Sequence, residues 1–237
     1  MSHPDFSGLN IAVIQTGRSI EESRDQHGDY DDMCKALFGR APDEADTFAV
    51  LDGEFPDNID GYDLIVVTGS KHGVYEPHDW IAPAEQLVRD AFEKGVKLVG
   101  ICFGHQLIAQ ALGGTVEKGD VGFIVGAVDY DIELSEGQRT ELPLFAWHQD
   151  QVVKIPDGAE VIAKSAQCPY AGLKYDDRAI TLQPHPEFSK AYMNDLIEAR
   201  RGAVVSDALA DRARESLATP VDVNPIQKML FDFIVDH

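Results

Sequence analysis

Two short segments of the sequence carry side chains that could act together as a nucleophile, a base and a carboxylate. The first is Gly100–Gly104, GICFG, in which Cys102 lies between two glycines where an apolar run gives way to a helical pattern. This spacing is typical of a nucleophile elbow, a sharp strand-to-helix turn with no room for side chains at the flanking positions. The turn would place the Cys102 sulfur at a helix N-terminus, where unpaired N–H groups favour the thiolate. Taken alone, the segment is equally compatible with a buried structural cysteine beside a glycine-rich strand end.

The second segment is Gln183–Glu187, QPHPE, in which two prolines restrict the backbone on either side of His185. A cysteine nucleophile needs a base that takes its proton and later protonates the leaving group, and a carboxylate that orients the imidazole. His185 and Glu187 are two residues apart and, on an extended chain, project to the same side. A lone His or Glu is more often structural or solvated. Together with the elbow, they predict a triad of Cys102, His185 and Glu187.

Strand-like and helix-like segments alternate through the first half of the chain and must position these residues. The apolar pattern predicts strands at 9–15, 47–51, 63–68, 96–101 and 179–182, and helices at 30–38, 83–95 and 105–112. Such alternation predicts a parallel sheet with flanking helices. Residues 115–181 are mostly strand-like and are expected to cover one edge of the sheet. After Ser189 the pattern is helical, with a break near Gly202 and a last helix that has Asn224 as its N-cap.

The composition narrows the class of protein. The 237 residues include 44% hydrophobic residues, which is enough for a sizeable core in one or two domains. Forty-one Asp and Glu against 20 Lys and Arg give a net charge of −21, and such a surface repels nucleic acid and anionic lipid. We therefore expect neither as a partner. The amino terminus lacks a basic or apolar leader pattern and no apolar run approaches the roughly 20 residues that span a bilayer, so we expect a cytoplasmic protein.

The segments GICFGHQ at 100–106 and QPHPE at 183–187 together resemble the class I glutamine amidotransferase family, whose glutaminase domains use a Cys-His-Glu triad. The resemblance implies an α/β fold: one domain over residues 1–237, with an open, mostly parallel, flavodoxin-like sheet flanked by helices. Its core would span about 9–189 and a C-terminal helical extension 190–237. It implies that Cys102 attacks a γ-carboxamide carbon, that His185 protonates the departing ammonia or amine, and that water resolves the γ-glutamyl thioester. No cofactor and no metal are expected.

The same resemblance implies an oxyanion hole made of two backbone N–H groups. One belongs to Phe103, directly after the nucleophile, and the other to Ser70, in the loop after the 63–68 strand. Ser70-Lys71 stands where Gly-Pro is frequent in the family, and the alternative interpretation is a simple turn that ends the strand. The residues implied to contact the substrate are Gly69, Gln106, Gln149 and Asp150.

Other histidines and cysteines in the sequence are interpreted as structural. His72 and His78 show no spacing that suggests a metal site and are interpreted as surface loop residues. Cys34 and Cys168 lack a neighbouring base in the sequence, which favours inert thiols. Three widely spaced cysteines also predict no disulfide framework.

Three functions remain open at the level of the sequence. The first is a stand-alone hydrolase or transferase acting on glutamine or a γ-glutamyl amide. It would be similar to the branch related to the glutaminase domain of GMP synthetase, which includes γ-glutamyl peptidases and hydrolases. The second is a glutaminase subunit that supplies ammonia to a separate synthase, since the roughly 50 residues after the last motif are expected to be too few for a synthase domain. The third is a catalytically silent binding protein on the same fold.

Overall fold

The computed structural model describes residues 4–235, and its helices and strands follow the alternation expected of an α/β protein. The strands are β1 Ile11–Ile14, β2 Asp46–Phe48, β3 Leu64–Val67, β4 Lys97–Ile101, β5 Thr115–Lys118, β6 Ile124–Ser135, β7 Gln138–His148, β8 Asp150–Lys154, β9 Ala159–Lys164, β10 Gly172–Tyr175 and β11 Ala179–Leu182. The helices are α1 Glu21–His27, α2 Tyr30–Leu37, α3 Ile81–Lys94, α4 Phe103–Ala111, α5 Lys190–Arg200, α6 Asp207–Ser216 and α7 Asn224–Val235.

Nine of the strands within residues 4–235 form one sheet in the order β2-β1-β3-β4-β11-β10-β9-β6-β7. The strands β2, β1, β3, β4 and β11 are mutually parallel, and antiparallel pairing begins between β11 and β10. The α/β fold with a central parallel sheet and flanking helices is therefore confirmed. The 115–181 segment contributes β10, β9, β6 and β7, which extend the sheet beyond β11, while β5 and β8 form a separate pair.

Both faces of the parallel strands are buried, which explains their continuous apolar sequences. Strand β3, LIVV, has all four residues buried, and its side chains alternate between the two cores of the molecule. Leu64 and Val66 pack in the core that contains α2 and α7, whereas Ile65 and Val67 pack against α3 and α4. The helical tail after β11 therefore packs back onto the sheet. No helix within residues 4–235 has the length and apolar character needed to cross a membrane.

The structure differs from the sequence predictions mainly at the ends of elements. The strand predicted at 47–51 ends at Phe48, because the chain turns into a short 3-10 helix, Val50–Asp52, that closes on Gly53 with φ 86°. Helix α3 begins at Ile81, and Pro83 is tolerated in its first turn, where no N–H partner is needed. Asn224 is the first helical residue of α7 and not its cap; its N–H donates to the Asp222 carboxylate.

Candidate active site

The turn between β4 and α4 places Cys102 in a strained backbone conformation. Its φ of 53° and ψ of −102° lie in a region that favours glycine. A Cβ on Gly100 would lie 2.6 Å from the carbonyl oxygen of Gly104, and a Cβ on Gly104 only 2.2 Å from that of Val67. Both glycines are therefore required by close packing, as expected for an elbow. The Cys102 side chain projects from the N-terminal end of α4, where it is 6% exposed.

His185 reaches the same edge of the sheet from β11. Strand β11 pairs in parallel with β4, so their carboxyl ends are adjacent, and the His185 N–H donates to the carbonyl of Phe145 at 2.8 Å. The imidazole Nδ1 lies 2.7 Å from Oε1 of Glu187, and both side chains are buried. Nε2 faces away from Glu187 and has no hydrogen-bond partner within residues 4–235. This nitrogen is free to exchange a proton with a nucleophile.

Gly69 lies between the cysteine and the histidine. A Cβ added to it would be 3.3 Å from Cε1 of His185 and 3.8 Å from Cβ of Cys102. The fold therefore brings together at one point the three predicted triad residues and the loop after β3.

Neighbouring charges give His185 a strong preference for its protonated form. Burial disfavours the imidazolium, but the charges of Glu187 and then of Cys102 outweigh burial and raise the pKa of His185 to about 10. Phe188 stacks on the imidazole with ring centroids 4.0 Å apart and an interplanar angle of 8°. The sequence analysis missed this residue, although it directly follows the QPHPE segment. The stacked Phe188 ring holds the imidazole in the orientation that the hydrogen bond to Glu187 sets.

Two backbone N–H groups are available where the oxyanion hole was predicted. Within residues 4–235, neither the N–H of Ser70 nor that of Phe103 donates to a protein acceptor. The carbonyl of Gly69 accepts hydrogen bonds from the hydroxyls of Thr16 and Thr68. Because the N–H and C=O of a trans peptide point in opposite directions, the Ser70 N–H faces away from these threonines.

Two of the residues predicted to contact a substrate, Gln106 and Asp150, are joined by a hydrogen bond. The Gln106 amide donates to the main-chain carbonyl of Asp150 at 2.9 Å and to Oε1 of Gln183 at 3.0 Å. The Asp150 carboxylate accepts from the Tyr75 hydroxyl at 3.0 Å, and burial raises the pKa of Asp150. The carbonyl of Gln149 accepts from a backbone N–H. Gln106 thus supports the segment at 149–150, and direct substrate contact by these residues stays a prediction.

The main chain before this segment lies beside the nucleophile. The carbonyl oxygen of Trp147 is 3.9 Å from Sγ of Cys102. His148, next in the chain, is buried, and its Nδ1 lies 3.2 Å from the carbonyl of Asp150. The strand end at β7 therefore forms a wall of the site.

The two other cysteines have environments that suppress their reactivity. Both are buried and free. Burial raises the pKa of Cys34 well above its usual value and that of Cys168 to about 12. Only the thiolate is a strong nucleophile, so the burial of both thiols agrees with the interpretation that they are inert.

Comparison with known proteins is consistent with the geometry. Residues 46–200 match the family model for glutamine amidotransferase class-I. The chain is 30% identical to γ-glutamyl peptidase 4 of Arabidopsis thaliana, over 75% of each chain. It is 35% identical to the glutamine-hydrolyzing GMP synthase of Clostridium novyi, over 52% of this chain and 24% of that protein. A solved glutamine amidotransferase from Thermotoga maritima has the same fold, with a TM-score of 0.73 at 22% identity over 96% of this chain and 99% of that one.

Proposed function

The chain belongs to the class I glutamine amidotransferase family, and we propose that it is a cysteine-dependent hydrolase or transferase of γ-glutamyl amides. One observation carries the proposal. Cys102 projects from a strained elbow at the sheet edge where His185, hydrogen-bonded to Glu187 at 2.7 Å, leaves its second ring nitrogen free. This arrangement has the parts of a nucleophile, a proton carrier and an orienting carboxylate.

In the first step, the Cys102 thiolate attacks the carbonyl carbon of the γ-amide. A carbon–sulfur bond forms, and the carbonyl π electrons move onto the oxygen. The N–H groups of Ser70 and Phe103 would stabilise this oxyanion, since fixed donors at about 2.7–3.1 Å stabilise charge that develops in the transition state. We propose that this is why both groups lack acceptors among residues 4–235.

In the second step, the carbon–nitrogen bond breaks. His185, protonated at neutral pH because Glu187 and Cys102 raise its pKa, transfers its Nε2 proton to the departing nitrogen. Ammonia or an amine leaves, and a γ-glutamyl thioester remains on Cys102. Water then attacks the thioester and gives a proton to His185, and glutamate leaves as the sulfur regains its electron pair. An amine in place of water would make the reaction a transfer.

We propose γ-glutamyl peptides as the preferred class of amide. The match to a γ-glutamyl peptidase extends over three quarters of both chains, whereas the match to a GMP synthase covers about a quarter of that protein. Gly69, Gln106, Gln149 and Asp150 would line the γ-glutamyl group. The three free cysteines also favour a reducing compartment, and we propose the cytoplasm.

The alternative is a glutaminase subunit that delivers ammonia to a separate synthase. The similarity to a glutamine-hydrolyzing GMP synthase favours this candidate. A silent binding protein is the third candidate, and the buried His185–Glu187 hydrogen bond at the sheet edge that carries Cys102 argues against it.

The product profile of the isolated protein separates these candidates. Glutamine and a panel of γ-glutamyl dipeptides are supplied separately, and ammonia, glutamate and the released amino acid are measured, with Cys102→Ala as the control. We expect dipeptide cleavage without any partner and none by Cys102→Ala. Ammonia release that requires an added synthase would favour the subunit. If neither substrate is cleaved and a glutamine-analogue electrophile fails to label Cys102, the proposal of an enzyme is wrong.

A further inference from the structure

The loop between β3 and α3 brings together two imidazoles and a carboxylate that the proposed reaction does not use. Nδ1 of His72 lies 3.1 Å, and Nε2 of His78 lies 2.8 Å, from the same Oε2 atom of Glu76. All three potential ligand atoms lie within 4.8 Å of one another. We propose that His72, Glu76 and His78 bind a divalent metal ion of the Zn²⁺ type. The interpretation of the two histidines as surface loop residues did not take Glu76 into account.

The donor set selects the class of ion. Two imidazole nitrogens and one carboxylate oxygen, with water in the fourth position, are a common set of zinc ligands, whereas Mg²⁺ and Ca²⁺ prefer all-oxygen sites. With bonds of about 2.0–2.1 Å, tetrahedral coordination separates neighbouring ligand atoms by about 3.3 Å. The present separations from Glu76 are slightly shorter than that. Small side-chain rotations would therefore open the group enough to admit an ion.

Local structure holds the three side chains in place. The N–H of Glu76 donates to the carbonyl of Gly73, and the N–H of His78 donates to that of Glu76, so consecutive turns fix the backbone. Trp80 stacks on the His78 ring at 5.9 Å with an interplanar angle of 16°, and it also packs on Phe103. A bound ion would therefore need to order little additional structure.

Charge and access also favour a cation. Within residues 4–235, no Lys or Arg side chain forms an ion pair with Glu76. The side chains of His72, Glu76 and His78 are 24%, 40% and 35% exposed, so an ion can enter from solvent.

The site lies on the segment that carries a proposed oxyanion donor. The N–H of His72 donates to Oγ of Ser70 at 3.3 Å, and Tyr75, inside the same loop, donates to Asp150. A bound ion would therefore stiffen the loop that carries Ser70 and that contacts Asp150 through Tyr75.

Metal binding can be measured without any substrate, so its outcome is independent of the proposed function. Untagged protein in a Cys102→Ala background is titrated with Zn²⁺ by calorimetry and with Co²⁺ by visible absorption. We expect one equivalent per chain. His72→Ala, His78→Ala and Glu76→Gln should each weaken metal binding at least ~10-fold. Loss of a metal ligand lowers the affinity more than loss of a residue that only hydrogen-bonds to a ligand. Glu93→Gln, at an exposed position near the end of α3, is the matched control and should bind as the parent does.

Three results would overturn the proposal. The first is the absence of saturable one-to-one binding by the parent protein. The second is unchanged affinity in a His72→Ala, His78→Ala double variant, and the third is a thiolate-to-cobalt charge-transfer band; either of these two would assign the ion to other ligands. Circular dichroism and thermal melting without metal identify a variant that fails to fold, and Glu76→Gln, which keeps the side-chain shape, then supplies the test.

Discussion

Three buried histidines show how neighbouring residues set the chemistry of a side chain. Burial lowers the pKa of His105 to about 3 and that of His148 to about 4, so both are neutral at pH 7. His185 is equally buried, yet Glu187 and Cys102 raise its pKa to about 10. The carboxylate at 2.7 Å therefore makes His185 the buried imidazole that holds a proton for transfer.

Substitutions of His185 and Glu187 should have unequal effects on turnover. His185→Ala removes the proton carrier, whereas Glu187→Gln keeps one acceptor oxygen, loses the charge and has an NH2 donor in place of the second oxygen. We expect the loss of kcat/KM in Glu187→Gln to be roughly 10- to 100-fold smaller than in His185→Ala, as for orienting carboxylates in other triads. Steady-state kinetics with a γ-glutamyl substrate measure both; equal or reversed losses would contradict the assigned roles.

The pH dependence of activity tests the interaction of His185 with Glu187 independently. A pKa raised to about 10 keeps His185 protonated through neutral pH, and activity should fall on the alkaline side as the proton is lost. Glu187→Gln removes the largest effect that raises this pKa, so the alkaline fall should move to lower pH. A shift to higher pH, or none, would show that Glu187 does not control His185.

Among the structural elements, the elbow between β4 and α4 has the strictest requirement for particular residues, namely its glycines. A Cβ on Gly104 would lie 2.2 Å from the Val67 carbonyl, so Gly104→Ala must displace α4 from β3. We expect a loss of about 1–3 kcal/mol in the free energy of unfolding and a large loss of turnover. Gly8→Ala is the control, because nothing lies within 4 Å of its Cβ position. Chemical denaturation of both variants checks the prediction, and equal stability would contradict it.

Elements with continuous apolar sequences were predictable because burial on both faces leaves a clear pattern. Strands β1, β3, β4 and β11 lie where that pattern predicts them, and the elbow follows from glycine spacing. Strand β2 is shorter than predicted, since a turn closing on Gly53 competes with strand pairing. Helix α1, Glu21–His27, was not predicted, because its seven residues span less than two helical turns and show too little apolar periodicity.

Contacts between distant or irregular segments could not be predicted. The Cys102–His185–Glu187 triad could be predicted because its two motifs have fixed internal spacing. The convergence of His72, Glu76 and His78 depends on loop turns that no periodicity encodes. The support of the Gly69 carbonyl by Thr16 likewise depends on the pairing of β1 with β3, which brings together residues far apart in the chain.

At the scale of the whole molecule, a net charge of −21 opposes compactness. Raising NaCl from about 0.05 to about 0.5 M shortens the screening length to about 4 Å and should weaken this repulsion. We expect the thermal midpoint to rise by about 2–4 °C for each kcal/mol of repulsion removed. Thermal melts in NaCl and KCl should agree at equal ionic strength. A midpoint that falls with either salt would mean that attractive surface pairs dominate.

In the proposed mechanism Cys102 carries the γ-glutamyl group during turnover, and trapping of this thioester would test that claim. The protein is quenched in acid while it turns over a γ-glutamyl peptide, digested, and mapped by mass spectrometry. We predict a γ-glutamyl adduct on the peptide that contains Cys102, with neither adduct nor turnover in Cys102→Ala. Turnover that survives in Cys102→Ala, or an adduct on the Cys34 or Cys168 peptide instead, would contradict the claim.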